Sequence, residues 1–313
     1  MTEKINDYPR IIFMGTPDFA VASLEAIIKA NFNVVAVVTA PDKPAGRGML
    51  LRETPVKAYA NKQDIPVLQP SNLKDPVFIE HLRSFEADLQ IVVAFRMLPE
   101  IVWNMPPMGT INLHGSLLPQ YRGAAPINRA IMNGEKVTGV TTFKLQHAID
   151  TGNILLQKKI SLTDYTTAGE LHDIMKLIGA DLIVETIEGL IKGTIHEQPQ
   201  IMPVDSVMYS ASKIHTEDCI INFRNTAATV HNQIRGLSPF PGAYTFLNDK
   251  TFKIYQSQKE ICQCNEAPGT PVSDGKTYLK FACTDGYLMC KEVQLEGKRR
   301  MDIESFLRGY RFK

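Results

Sequence analysis

The chain has 313 residues, with 44% hydrophobic and 21% charged residues and a formal net charge of +1. That balance is ordinary for globular proteins. It excludes a collagen-like chain, a coiled coil and a chain too polar to fold, and the length favours two domains over one. No apolar run approaches a membrane span, and the opening MTEKINDYPR lacks the apolar stretch of a secretory signal, so a cytoplasmic protein is expected.

In chain order, Arg10–Met14 (RIIFM) reads as a buried strand ending at Gly15. Asp18–Ala30 reads as an amphipathic helix with Asp18 as its cap. Asn33–Thr39 is a β-branched strand, Pro55–Asn61 a short helix, Pro66–Leu68 a short strand and Pro76–Phe85 a helix. Asp88–Phe95 and Gly109–His114 are strands, the latter ending in polar residues. Apolar strands alternating with helices imply a parallel sheet covered on both faces, with ligands outside the carboxyl ends of the strands.

Val137–Gln146 and Asn153–Ile160 read as a strand pair and Thr167–Lys192 as one long helix stopped at Gly193. Residues 194–207 contain two prolines and no periodicity, and read as a linker. A helix over Asn225–Leu237 follows. Short strands come next, at Tyr244–Leu247, Thr251–Tyr255, Tyr278–Phe281 and Tyr287–Cys290. The expected fold is α/β. It comprises a Rossmann-like parallel-sheet domain over residues 1–193, the linker 194–207, and an OB-like β-barrel domain over 208–313.

The first turn, Gly15-Thr16-Pro17-Asp18, lacks the second and third glycines of a dinucleotide fingerprint, and Pro17 removes a backbone donor. No P-loop occurs. The five cysteines (Cys219, Cys262, Cys264, Cys283, Cys290) are odd in number and fit no usual zinc spacing, so reduced thiols and no metal are expected. Residues 207–313 carry fifteen Lys and Arg against eleven Asp and Glu, and residues 298–313 carry six against two. Such a basic end either meets a polyanion or is a solvated face.

The chemistry concentrates in Asn112-Leu113-His114, which leaves a strand for the loop Gly115–Pro119. Residues two apart share a strand face. A histidine can move a proton near neutral pH, and an asparagine amide can donate to a developing oxyanion. A tight loop at Asp150-Thr151-Gly152 can return a carboxylate to the histidine. This trio suits acyl transfer to an amine brought by the substrate. Two alternatives stay open: Ser116 as a nucleophile, and a strand-end Asn and His that merely cap their own loop.

On these residues the chain resembles the methionyl-tRNA formyltransferases over essentially its full length. NLHGSLLPQYRGAAPINRAI (Asn112–Ile131) matches the central motif shared by enzymes of this fold that use 10-formyltetrahydrofolate. FMGTPDFA (Phe13–Ala20) and IDTGNI (Ile149–Ile154) match the family's first turn and acidic loop, while the first long loop, APDKPAGRG (Ala40–Gly48) with PVKAYA (Pro55–Ala60), and the C-terminal SPFPGAY (Ser238–Tyr244) and FLRGYR (Phe306–Arg311) narrow the match to the tRNA enzymes. The resemblance implies formyl transfer from 10-formyltetrahydrofolate to the free amino group of initiator methionyl-tRNA; no metal and no membrane are expected to take part, and a monomer is expected. It implies Asn112, His114 and Asp150 as catalytic residues. Ser116, Leu117, Leu118 and Pro119 would form the folate loop, with Arg47 toward the acceptor arm; on charge, Lys43 in the same loop and Arg299 and Arg300 of the basic end are also expected toward tRNA. Met49 and Leu50 stand where the family often has lysines, which lowers the charge of that loop. The competing readings are a folate-dependent formyltransferase acting on an amino sugar or purine ribonucleotide, a formyltetrahydrofolate hydrolase, and a nucleic-acid-binding protein with an inactive first domain.

Overall fold

Five β-branched and apolar runs that no helix pattern fits become the parallel part of a seven-stranded sheet. The computed structural model describes residues 8–45, 50–201 and 207–311. Its first half contains β1 (Arg10–Gly15), α1 (Asp18–Lys29), β2 (Asn33–Val38), the hairpin β3 (Lys43–Ala45) and β4 (Leu50–Arg52), α2 (Pro55–Lys62), β5 (Val67–Leu68), α3 (Pro76–Arg83), β6 (Leu89–Val93), α4 (Glu100–Trp103) and β7 (Thr110–His114). There follow β8 (Arg122–Gly123), α5 (Pro126–Met132), β9 (Val137–Lys144), β10 (Ile154–Ser161) and the long α6 (Ala168–Ile191). The sheet order is β10-β9-β7-β6-β1-β2-β5. β7 pairs parallel to β6 and antiparallel to β9, so its carboxyl end lies where the strand direction changes.

The central strands β1 and β6 are buried almost throughout, which is why they lack alternation in sequence. One sheet face packs Ile12, Met14, Val38 and Val92 against Phe78, Ile79 and Leu82 of α3. Each such fully buried aliphatic side chain contributes roughly 1.5–3 kcal/mol. Helices α2 and α3 start as their sequences dictate. Pro55 and Pro76 occupy the first turn, and Thr54 and Asp75 accept from Lys57 N (3.1 Å) and Val77 N (2.8 Å). Asp18 is not the cap of α1: Pro17 holds that position with no side-chain cap, and the Asp18 carboxylate pairs with Lys176 at 2.8 Å.

The C-terminal part contains β11 (Ser210–Ala211), α7 (Ala227–Leu237), β12 (Ala243–Leu247), β13 (Lys250–Ile261), β14 (Pro271–Ser273), β15 (Leu279–Cys283), β16 (Gly286–Leu295), β17 (Met301–Asp302) and α8 (Ile303–Gly309). Strands β12 to β17 form one curled antiparallel sheet, a half-barrel, with β17 pairing β16 beside the order β12-β13-β16-β15-β14. The expected α/β fold with an OB-like second domain is therefore present. Phe252 sits at its centre, 5.1 Å from the Phe306 ring of α8 and 6.3 Å from Phe281. β13 runs well beyond the apolar stretch Thr251–Tyr255. Its second half alternates exposed Gln256 and Gln258 with buried Ser257, so no apolar run marks it. The short helices α5 and α8 carried no periodicity long enough to detect.

By contact, the chain divides into a unit of residues 1–122, 139–160 and 173–209, and a unit of 123–138, 161–172 and 210–313. Within the second, His231 is 3% exposed, its Nδ1 2.8 Å from Ser257 Oγ and its Nε2 2.8 Å from the Asp164 carbonyl. Burial pushes its pKa below the ordinary value, and the nearby Arg235 and Lys259 charges act the same way. The unfolded chain takes up this proton near pH 6.5 while the folded chain resists it. Stability from this group is complete above that pH and falls as pH drops below it. Urea midpoints at pH 7.5 and 5.5 check this: His231→Gln should show a smaller drop than wild type, and equal drops would refute the assignment.

Candidate active site

β7 delivers two polar side chains to its carboxyl end. Asn112 lies opposite Phe143 of β9 and Val92 of β6 and is half-buried. His114, on the same strand face, is buried. The His114 Nε2 lies 2.8 Å from the Tyr121 carbonyl oxygen, which can only accept, so Nε2 carries a proton. In the neutral ring Nδ1 is then an open lone pair. It faces Asp150 Oδ2 at 3.7 Å. The edge of Phe143 packs on the imidazole, with centroids 6.5 Å apart, and fixes its plane.

Asp150 adopts φ +52, a left-handed conformation uncommon outside glycine. The loop around it is held from several sides. Lys144 N donates to the Asn153 carbonyl at 3.0 Å, and Gln200 Nε2 donates to the carbonyls of Asp150 (2.9 Å) and Gly152 (2.7 Å). The structure thus brings His114 and Asp150 together, with Asn112 one strand period behind.

The loop Ser116–Pro119 is tied down internally. Thr141 Oγ1 donates to the Ser116 carbonyl (2.6 Å) and accepts from Leu118 N (3.2 Å) and Gln157 Nε2 (2.9 Å), while Gln157 Nε2 also reaches the Leu118 carbonyl at 2.9 Å. Ser116 is fully buried, and its hydroxyl donates to the Gln120 carbonyl at 2.6 Å. That hydroxyl is directed at its own loop and not at the imidazole, which speaks against Ser116 as a nucleophile. Leu117 and Pro119 are the half-buried members of the loop. Thr141, Gln157, Gln200 and the Tyr121 carbonyl are the parts that sequence reasoning missed.

The formyl transferase family matches residues 9–187, and the formyl transferase C-terminal domain matches residues 213–311. A methionyl-tRNA formyltransferase of Bacteroides thetaiotaomicron is 47% identical over 309 residues, 96% of each chain. That of Flavobacterium johnsoniae is 44% identical over 307 residues, 97% of this chain and 96% of the other. The chain belongs to the methionyl-tRNA formyltransferase family. Among solved structures, the fold is similar to an N-formyltransferase of Helicobacter canadensis in complex with folinic acid and dTDP-3-aminofucose. That pair has a TM-score of 0.66 and 22% identity, over 90% of this chain and 98% of the other. It is also similar to glycinamide ribonucleotide transformylase 1 of Symbiobacterium toebii, with a TM-score of 0.53 and 18% identity over 65% of this chain and 98% of the other.

In this formyltransferase the basic residues read from sequence stand apart in character. Lys43 is exposed on β3, opposite Arg52 of β4. Arg47 lies outside the described residues. Arg299 is exposed, but Arg300 is engaged: it pairs with Glu292 at 2.5 Å and its guanidinium lies 4.3 Å over the Tyr255 ring. The C-terminal unit also holds a cleft of about 640 Å³ that charge counting did not reveal. Lys213, His215, Lys253 and the aromatic rings of Phe240, Tyr244 and Phe246 line it, with no carboxylate among its lining residues. The five cysteines are free, and burial pushes the Cys283 thiol up to about 12. Among the described residues no group of three or more His, Cys, Asp or Glu is placed to hold a metal ion. No helix among them is long and apolar enough to cross a membrane.

Proposed function

We propose that this protein transfers the formyl group of 10-formyltetrahydrofolate to the free amino group of methionyl-tRNA(fMet), giving N-formylmethionyl-tRNA for translation initiation. The observation that carries the reading is the open Nδ1 of His114 facing Asp150 at the carboxyl end of β7. The incoming amine must be neutral to attack and must then lose a proton. Nδ1, whose lone pair faces the Asp150 carboxylate, is the atom placed to take it. The Asn112 amide, whose side chain makes no hydrogen bond among the described residues, is the donor for charge developing on the formyl oxygen. The same Nδ1 proton is available to the departing nitrogen.

The donor set fits a formyl donor: one oxyanion-type amide, one base and one carboxylate, beside a rigid apolar loop. When bound, the folate supplies an electrophilic formyl carbon. Leu117 and Pro119, with the buried Ser116 and Leu118 behind them, would shape its pocket, since the Leu118 N–H and carbonyl are already committed to Thr141 and Gln157. Positioning two bound substrates accounts for much of the acceleration. The catalytic domain is assigned to residues 1–193, the linker to 194–207 and the tRNA-binding domain to 208–313, acting as a monomer in the cytoplasm.

The test is formyl transfer from 10-formyltetrahydrofolate to charged initiator and charged elongator tRNA. Product from the initiator alone supports the reading. Formylation of an amino sugar or glycinamide ribonucleotide in its place would overturn it.

Toward tRNA, Lys43, Arg47 and Arg299 are the cations assigned to phosphate contact, and the Lys213–Lys253 cleft adds a basic and aromatic surface suited to nucleic acid. Arg300 contributes less than its charge suggests, because Glu292 neutralises it. Each phosphate contact adds about 0.7–0.9 to the log–log salt slope. Arg299→Glu should flatten that slope by about one and raise KM for tRNA with kcat nearly unchanged. A slope identical to wild type in a salt titration would mark Arg299 as a solvated surface charge.

A further inference from the structure

The side-chain amide of Gln200 joins the two halves of the catalytic site. Its Oε1 accepts from Arg122 Nε (3.1 Å) and Nη2 (2.6 Å), and its Nε2 donates to the Asp150 and Gly152 carbonyls (2.9 and 2.7 Å). The amide can be oriented in only one way, because guanidinium has no acceptor and carbonyls have no donor. On one side, Arg122 follows Tyr121, whose carbonyl holds His114 Nε2. On the other, the two carbonyls flank Thr151 and belong to the loop that presents Asp150.

Both anchors need external support. Tyr121 (φ +59) and Asp150 (φ +52) are left-handed non-glycine residues, a strained conformation that persists only where surroundings impose it. The segment bearing Gln200 is itself fixed. Gln198 pairs in both directions with Ile154 (2.7 and 2.8 Å). The guanidinium polarises the amide it touches, which strengthens the donation from Nε2 to the two carbonyls. All of these residues belong to one compact unit.

We infer that Gln200 is a positioning residue for formyl transfer: through Arg122 and the Asp150 loop it sets the spacing between Asp150 and His114. The inference rests on the function proposed above for its kinetic consequence, but the clamp itself can be read without any activity. Gln200 bonds only Arg122 and two backbone carbonyls and touches none of the reacting groups proposed above. Its removal should therefore impair the step that needs Asp150 in register, and leave substrate binding alone.

Two variants test this. Gln200→Met keeps the length and removes every hydrogen bond. Gln200→Glu keeps the contact with Arg122 but has no proton for the two carbonyls. Both should lower kcat by about 10- to 100-fold, as expected for a sub-ångström to ångström misplacement, with KM for tRNA and for 10-formyltetrahydrofolate within about twofold of wild type. Arg122→Met combined with Gln200→Met should be no worse than the poorer single variant, because both break one linkage. Hydrogen–deuterium exchange should rise about tenfold or more across residues 148–153 in both Gln200 variants, whether or not the wild type proves active on tRNA. A wild type without formyl transfer would refute the function, and the exchange data would then decide the clamp alone. The inference is overturned if Gln200→Glu retains kcat within twofold, if the Arg122 and Gln200 effects add, or if exchange over 148–153 is unchanged.

Discussion

His114→Ala is expected to lower kcat by about 10²-fold or more, the range for loss of a general base, while leaving KM for both substrates close to wild type. Asn112→Ala should fall in the same range through loss of an oxyanion donor. The three positions of the trio are not equivalent in what they do to folding. His114 is 6% exposed, donates to the Tyr121 carbonyl and packs against Phe143. Its truncation removes the imidazole's hydrogen bond to the Tyr121 carbonyl from a buried site, at a cost of about 1–3 kcal/mol of stability. Asp150→Asn is the cleaner probe, since it preserves shape and the backbone bonds from Gln200 while removing the charge opposite Nδ1. Single-turnover rates on protein verified as folded by its thermal midpoint check the set. Near-normal turnover in folded His114→Ala would refute the mechanism.

What made this site legible was its local pattern. Asn112 and His114 end a strand whose two-residue period puts them on one face, and Asp150-Thr151-Gly152 announces a tight turn between two strands. What was not legible is what holds them. Thr141 and Gln157 lie on neighbouring strands, where a polar residue facing a loop leaves no periodic trace. Gln200 lies in a stretch whose prolines and lack of period mark a linker, yet it lies against the Asp150 loop and makes four hydrogen bonds. The fold shows the same division. Runs such as Arg10–Met14 and Asp88–Phe95 reveal buried parallel strands by composition alone. By contrast, residues 123–138 and 161–172 pack with the C-terminal unit. That arrangement depends on side chains distant in sequence, such as the buried Arg235, whose guanidinium donates to the carbonyls of Ile131, Thr163 and Thr166.

Gly152→Ala should be nearly as damaging as loss of a trio member, with no functional group removed. A Cβ at this position would stand far inside van der Waals contact of the Lys144 carbonyl oxygen, 2.9 Å from the Lys144 carbonyl carbon and 3.2 Å from Phe143 Cδ2. The obstacle is backbone, so no rotamer change can relieve it. Either the 150–152 loop moves out, or the end of β9 yields. The first course carries Asp150 away from His114 Nδ1 and breaks the Gly152 carbonyl's bond to Gln200. The second shifts Phe143, whose edge fixes the His114 ring. Both courses end in a misplaced base, for which about 10²-fold in kcat is the expected loss. Asp150→Asn supplies the comparison: if Gly152→Ala acts by displacing that carboxylate, the double variant should be little worse than the poorer single one. A crystal structure of Gly152→Ala with the Asp150–His114 spacing intact, together with kcat within twofold of wild type, would show that the close approach of this loop to β9 has no part in catalysis.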